Sequence, residues 1–277
     1  MINMRRGLGK IEILVILLIV GGVIAYIAVS LPRLRNAQRH NLDALQLRGI
    51  HQSMLVFSRD FNGIMPIPGF IRRLPMLIDG KEIVVPGKGA MDESQNTTAN
   101  LYSVCIMQNL FSPELCVSPV ECSPNVVVDE DYDWDVYDPA IGVHWDDSFG
   151  ADLSIPNGSN VSYAHRPLFS NNFREAWRDS FGGQSVLLGT RGPRDGQDPN
   201  SITYQLHAPF DQWVGTFIGP DGSNMSLSTS MECGQVEVDG QTIPDNIFRF
   251  DQGFEGSDNI ITFTKDVTPE GPVVLWD

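Results

Sequence analysis

An uninterrupted apolar run near the amino terminus is the strongest pattern in the chain. From Ile13 to Leu31, nineteen residues follow one another without a charge. A helix rises about 1.5 Å per residue, so this run is about 28 Å long, close to the thickness of one bilayer core. The pattern predicts a helix able to cross a membrane, with one carboxylate, Glu12, just ahead of the run.

Apolar positions at helical spacing continue after this run and predict an amphipathic outer half of the same helix, over residues 32–66. These positions are Leu42, Leu45, Ile50, Met54, Phe57 and Phe61. Such a stripe most simply serves core packing, so this half should lie on a globular head. Pro32 should kink or loosen the helix, and Asn62-Gly63 followed by Pro66 should end it.

Beyond residue 66 the chain has short apolar runs separated by Gly, Pro, Asn and Asp. Residues 101–110 indicate a short helix, and five runs indicate strands. The predicted strands cover residues 82–85, 125–128, 184–188, 211–217 and 259–264. We therefore expect an α+β fold in which the long amino-terminal helix packs on an antiparallel β-sheet head.

Basic residues precede the apolar run, whereas no acid precedes Glu12. Because Arg5, Arg6 and Lys10 stand on this side, the positive-inside rule predicts a cytoplasmic amino terminus and an exported head over residues 67–277. A plain signal anchor is one alternative. Others are a secretory signal cut within residues 25–30 and twin-arginine export through Arg5-Arg6.

The residues Gly7-Leu8-Gly9-Lys10-Ile11-Glu12 and the apolar helix after them resemble the leader of type IV prepilins and type II secretion pseudopilins. The resemblance implies a leader over residues 1–7, cleavage between Gly7 and Leu8, and N-methylation of Leu8. It also implies a transmembrane and assembly helix over residues 8–31, in which Glu12 pairs with the amino terminus of a neighbouring copy. Leu8 stands where the family usually has Phe or Met. Lys10 stands where the family has an apolar residue, and it is an alternative partner for Glu12.

The stretch from Leu31-Pro32-Arg33 to the aromatic turn at Phe61-Asn62-Gly63 resembles pilin-like proteins of planctomycete-type bacteria, which carry a variable outer head. His207 with Asp221-Gly222 is similar to a His-to-Asp-Gly signature of those heads. This implies a structural subunit of a type IV pilus or secretion pseudopilus in the bacterial inner membrane. Its implied partners are prepilin peptidase, other pilin or pseudopilin subunits, an inner-membrane assembly platform and the lipid bilayer.

The net charge of −15 is unevenly distributed. Through Arg73 there are ten basic and three acidic residues, whereas nine basic and thirty-one acidic residues follow. The basic part lies beside the membrane, where anionic lipid attracts Arg. The acidic head should repel nucleic acid, so we expect no nucleic-acid partner.

Two kinds of polar cluster are candidate sites in the head. Cys105, Cys116, Cys122 and Cys233 can form disulfides in the periplasm, with three possible full pairings, or remain buried thiols. Alternating carboxylates at Asp131, Asp133 and Asp135 can ligate Ca²⁺, although the spacing does not match an EF-hand. A solvated acidic loop is the alternative interpretation of these three residues.

No motif for nucleophilic, metallopeptidase or phosphate chemistry occurs in the chain, so we expect a protein without enzymatic activity. Two functional alternatives to a structural subunit remain at this point. One is a membrane-tethered periplasmic protein that binds a surface ligand, and the other is a secreted enzyme with an atypical signal.

Overall fold

The computed structural model describes residues 9–180, 185–198, 200–207, 213–222, 227–256 and 258–276. Its helices are α1 (Lys10–Asp60), α2 (Pro68–Ile71), α3 (Thr98–Met107), α4 (Asn171–Glu175) and α5 (Thr203–Leu206). Short 3₁₀ turns cover Glu93–Gln95, Pro113–Cys116, Trp134–Val136 and Arg194–Gly196. The strands are β1 (Met76–Ile78), β2 (Lys81–Ile83), β3 (Tyr163–His165), β4 (Leu188–Thr190), β5 (Gly215–Ile218), β6 (Leu227–Ser228), β7 (Glu232–Val238), β8 (Gln241–Asn246), β9 (Phe263–Thr268) and β10 (Gly271–Leu275).

Helix α1 joins the apolar run and the amphipathic stretch in one element of 51 residues. It passes residue 32 without a break, so the proline there does not divide it. The helix ends where Asn62 and Gly63 take positive φ values, and the Gly63 N–H donates a 2.9 Å hydrogen bond to the carbonyl of Ser58. A residue in the left-handed conformation commonly ends a helix with such a hydrogen bond to one of the last carbonyls. The predicted end of the helix is therefore confirmed.

The strands of the described residues form four small antiparallel sheets. Three of these sheets are two-stranded: β1–β2, β7–β8 and β9–β10. The fourth has the order β3-β4-β5-β6. The predicted α+β class and antiparallel pairing are confirmed, but the expectation of one sheet is corrected. Frequent Gly, Pro, Asn and Asp residues interrupt the apolar runs and leave strands of two to seven residues.

Individual elements follow the sequence pattern with shifted boundaries. Helix α3 accounts for the predicted segment 101–110, and β2, β4, β5 and β9 each overlap a predicted strand. Residues 125–128 form no strand; Val126 makes only an isolated bridge with Ser159. Segments 181–184 and 208–212, which include parts of two predicted strands, lie outside the described residues.

The head packs on the outer half of α1 through a face that mixes apolar and polar residues. Leu47, Ile50 and Met54 of this face are fully buried, but so are Asp43 and Ser58. Leu42, Leu45 and Phe61 of the predicted stripe are exposed instead. The buried face therefore includes Asp43, one position after Leu42, where the predicted stripe starts. A hydrophobic pattern misses this position because it does not count buried polar residues as part of the face.

Candidate functional site

The first part of α1 is apolar all round and is not covered by the head. Every side chain described between residues 9 and 28 is exposed. The segment Lys10–Ala28 is long and apolar enough to cross a membrane, and a signal sequence has the same properties. A helix without a polar face needs an apolar surrounding, either lipid or other helices.

Glu12 caps the helix to which it belongs. Its Oε2 accepts a 2.8 Å hydrogen bond from the backbone N–H of Gly9, and the Gly9 carbonyl accepts the first helical bond from Ile13 N–H at 3.1 Å. A carboxylate at this position satisfies one of the unpaired N–H groups and complements the positive end of the helix dipole. The predicted cleavage residues Gly7 and Leu8 lie outside the described residues.

A buried polar junction joins α1 to the head. Asp43 is 0% exposed, and its Oδ1 accepts hydrogen bonds from the hydroxyls of Ser118 and Tyr163, the latter at 2.7 Å. Its Oδ2 lies 3.6 Å from Nε2 of the buried His207. The ring of His40 packs on that of His207, with centroids 4.7 Å apart. Residues from three separate segments of the head, Ser118, Tyr163 and His207, therefore meet at one carboxylate of helix α1.

Burial controls the charges at this junction. It lowers the pKa of His207 to about 4, so at neutral pH the imidazole is uncharged. Burial also raises the pKa of Asp43, while the hydrogen bonds from Ser118 and Tyr163 favour its charged form. Because the ring of His207 is neutral, its 3.6 Å approach to Asp43 lacks the strength of an ion pair.

A buried ion pair lies beside the junction. Both carboxylate oxygens of Glu121 accept from the guanidinium of Arg191, and Nη2 lies 2.8 Å from Oε1. Ser162 Oγ and the backbone N–H groups of Cys122 and Ser123 also donate to Glu121. Burial alone would raise the pKa of Glu121, but the hydrogen bonds and charge of Arg191 outweigh it and lower that pKa.

The predicted Ca²⁺ ligands lie on an exposed loop. Asp131, Asp133 and Asp135 are all exposed, and Asp133 uses Oδ1 to accept a local 2.9 Å bond from Asp135 N–H. Among the residues that the structure describes, no group of three or more His, Cys, Asp or Glu side chains is arranged to hold a metal ion. This geometry favours the alternative interpretation, a solvated acidic loop.

The four cysteines are thiols in the structure. Cys105, Cys116 and Cys233 are buried and Cys122 is exposed. Burial raises the pKa of Cys105 and of Cys116, which keeps both protonated and unreactive. The structure thus has the buried-thiol alternative for three of the four disulfide candidates.

The chain was compared with known proteins at the levels of family, sequence and structure. No protein-family model matches it, and no match was found among curated proteins or among solved structures. Functional inference therefore depends on the residues and on their geometry.

The sequence interpretation missed the helix–head junction. Asp43 and Ser118 carry no motif, and Tyr163 is 120 positions from Asp43. The available signal was Asp43 itself, an acid on the face of α1 that also carries Leu47 and Ile50. A carboxylate on a buried helical face requires partners, because an unpaired buried charge is costly.

Proposed function

We propose that the chain is a structural pilin-like subunit. In this proposal residues 8–31 hold it in the bacterial inner membrane until it joins a type IV pilus or a type II secretion pseudopilus. The supporting observation is that one continuous helix bears an exposed apolar segment at one end and the head at the other. Such a helix can pass from lipid into a bundle of identical helices without reorganising the head.

Glu12 gives the proposed assembly its specificity. A carboxylate near the bilayer core costs about 2.5 kcal/mol or more, and the hydrogen bond that Glu12 accepts from Gly9 N–H supplies no formal positive charge. After cleavage at Gly7 the amino group of Leu8 would be a cation close to this level of the helix. Pairing of Glu12 with that group on a neighbouring subunit removes the charge penalty only in the assembled state.

The charge distribution fits the proposed topology. Lys10 and Arg35 flank the apolar run, where lipid headgroups would lie in this topology, and the acidic head would face the periplasm or the outside. The partners in this proposal are prepilin peptidase, an assembly platform of the inner membrane and other pilin-like subunits. The role is structural and assigns no reaction to the head.

Processing of the amino terminus tests the proposal directly. The full-length chain would be co-expressed with a prepilin peptidase and the intact mass of the membrane-bound product measured. We expect loss of residues 1–7 and one added methyl group, and no processing of a Gly7→Val control. A cut within residues 25–30 would indicate an exported protein. An uncut chain would leave a tethered binding protein as the better function.

A further inference from the structure

A cavity of about 240 Å³ opens beside the β1–β2 hairpin. Its walls come from the end of α2, from the segments 71–75 and 84–88 that flank the hairpin, and from a turn that includes Gly142 and His144. Pockets that hold drug-sized ligands have volumes of about 300–1,000 Å³, so this cavity is sized for a smaller molecule.

Three cations line the cavity, and two of them have no carboxylate partner among the described residues. Arg72 is neutralised by Asp147 through hydrogen bonds of 2.8 Å and 3.2 Å. Arg73 donates only to two backbone carbonyls, at 2.9 Å and 3.0 Å, which carry no formal charge. Lys88 is exposed and forms no ion pair with any residue that the structure describes. The cavity therefore presents two uncompensated positive charges.

One acid also lies in the wall, and local donors occupy it. Asp92 accepts from the backbone N–H and the hydroxyl of Ser94, and from the side-chain amide of Gln95 at 3.1 Å. Two unpaired cations against this one acid leave the cavity with a net positive charge. The chain as a whole has a net charge of −15, so the cavity is a positive site in an acidic head.

A buried imidazole in the same wall makes no hydrogen bond with the described part of the chain. His144 is 8% exposed, and its ring contacts are to Tyr137 and Trp145, each with centroids 6.3 Å apart. Burial and the charge of Arg72 lower the pKa of His144, so at neutral pH the ring is uncharged and one of its nitrogens is a donor. A ligand oxygen that accepts from this nitrogen would satisfy a buried polar group.

The segment that carries Lys88 is fixed in the absence of a ligand. Gly87 and Gly89 have φ values of 72° and 97°, and the Lys88 N–H donates to the Val85 carbonyl at 2.9 Å. A Cβ atom on Gly89 would lie 2.1 Å from the carbonyl oxygen of Leu74, so only glycine permits this close contact. A wall that is already ordered loses little freedom when a ligand binds.

We propose that this cavity binds a small monocarboxylate with an apolar body. Arg73, Lys88 and His144 would donate to the carboxylate, and hydrogen bonds from cations to carboxylates are among the strongest in proteins. The apolar body would lie on the side chains of Val84 and Ile141, which line the cavity and are 38% and 70% exposed. The thirty-one acids after Arg73 would repel a polyanion, so the site favours a ligand with a single charge.

Ligand-observed NMR of the full-length protein in detergent micelles at about pH 7 tests the site. The probes are two carboxylates, benzoate and cyclohexanecarboxylate, the neutral isostere benzamide, and acetate, which lacks an apolar body. We expect saturable binding of at least one of the two carboxylates, and at least tenfold weaker binding of benzamide and acetate. The bound probe should shift the imidazole signals of His144 and leave those of the fully buried His165 unchanged.

Substitutions locate the binding within the head. Arg73→Gln and Lys88→Gln should each weaken binding of the carboxylate at least tenfold. Lys81→Gln is the matched control, because Lys81 is an exposed cation of the same hairpin that does not line the cavity, and it should bind like the wild type.

Three results would overturn the proposal. The first is a wild-type protein that binds neither carboxylate at millimolar concentrations. The second is benzamide binding as tightly as benzoate, which would make the cavity a merely apolar site. The third is an equal loss of binding in Lys81→Gln and Lys88→Gln, which would indicate diffuse charge attraction. The comparison of probes uses only the wild type, so it does not depend on the folding of any variant, and none of these results bears on the proposed assembly through Glu12.

Discussion

The hydroxyl of Tyr163 donates a 2.7 Å hydrogen bond to the carboxylate of Asp43, and this contact connects β3 of the head with helix α1. Both residues are buried, and Ser118 donates to the same carboxylate oxygen. A polar contact in a buried interface requires one relative placement of its partners, whereas apolar contacts tolerate sliding. The orientation of the head on the helix therefore depends on Asp43.

Removing the Tyr163 hydroxyl should loosen this attachment. Tyr163→Phe keeps the ring but leaves Asp43 with one hydroxyl donor fewer, and we expect a loss of about 1–3 kcal/mol in the free energy of unfolding. Urea unfolding followed by tryptophan fluorescence measures it. The control Tyr137→Phe, at a side chain that is about half exposed, should change stability by about 0.5 kcal/mol or less. Equal effects of the two substitutions would contradict the role of the junction.

The long helix was predictable because its signal is local. Nineteen uncharged residues and a Gly-containing stop act through neighbours in sequence. Helix α1 accordingly lies within the predicted span of residues 8–66 and ends at residue 60, just before the predicted stop. Its docking face was less predictable, because Asp43 is satisfied by Ser118 and Tyr163 from distant segments. A hydrophobic pattern counts such a residue as solvent-facing, although its partners make burial possible.

The arrangement of the strands and of the buried acids could not be predicted for a similar reason. Short strands such as β3 pair through contacts of high sequence separation, here with β4, so their local pattern does not specify a sheet. The side chains of Asp245 and Asp258 are buried, but these two acids are thirteen positions apart with no alternating pattern, whereas the closely spaced Asp131, Asp133 and Asp135 stand out in the sequence. The local density of acids in the sequence therefore pointed to the exposed loop, whereas the burial of Asp245 and Asp258 is visible only in the structure.

The ion pair of Glu121 and Arg191 should be worth far more than an exposed one. Glu121→Gln leaves a buried guanidinium without its counter-charge, and we expect destabilisation of about 3–5 kcal/mol. The matched control is Asp147→Asn, which breaks the solvent-exposed pair with Arg72 and should cost about 0.5 kcal/mol. Chemical unfolding of both variants at about pH 7 gives the comparison, and similar losses would argue against a structural role for the buried pair.

His165 should make the head sensitive to acid. Its Nδ1 lies 2.7 Å from the Arg166 carbonyl and therefore carries the proton, and Nε2 accepts from the Thr98 hydroxyl at 2.8 Å. The Thr98 oxygen also accepts a hydrogen bond from Thr264 N–H, and its own O–H is the donor to the ring. Burial lowers the pKa of His165 to about 4, because the charged ring would lose solvation.

The direction of the pH effect on stability follows from the linkage between protonation and folding. The unfolded chain takes up the proton near pH 6.5, so stability from a neutral His165 is full above that pH and is lost as the pH falls toward 4. We expect the stability gap between wild type and His165→Gln to narrow by about 2 kcal/mol between about pH 7 and pH 5. NMR titration of the imidazole gives the pKa directly. A His165 pKa near 6.5, or a stability difference between the two proteins that does not change with pH, would contradict this prediction.

Thiol labelling should distinguish exposed from buried cysteines. Cys122 is exposed, whereas Cys105 and Cys116 are fully buried with raised pKa values. Maleimide should therefore attach a single label to the native protein, at Cys122, and none to Cys122→Ser. Additional labels should appear only in denaturant. A native protein whose mass is lower by about 2 Da for each lost thiol pair would instead contain the disulfides considered from the sequence.

Substitution of Glu12 separates its two roles, the cap on Gly9 and the proposed pairing with a neighbouring subunit. Glu12→Ala should insert into the membrane at least as well as the wild type, because it removes a charge near the bilayer core. It should fail to assemble, since the neighbour's amino group then has no acceptor. Glu12→Gln keeps a side-chain oxygen for the Gly9 N–H and lacks only the charge.

Membrane fractionation measures insertion, and electron microscopy and cross-linking of cells that express the peptidase and the assembly platform measure assembly. If the charge is what neighbours recognise, both variants are inserted and neither forms filaments. Filaments from Glu12→Gln alone would assign the residue to helix capping. Normal filaments from Glu12→Ala would remove the electrostatic basis of the proposed assembly, because the helix would then associate through apolar packing without the carboxylate.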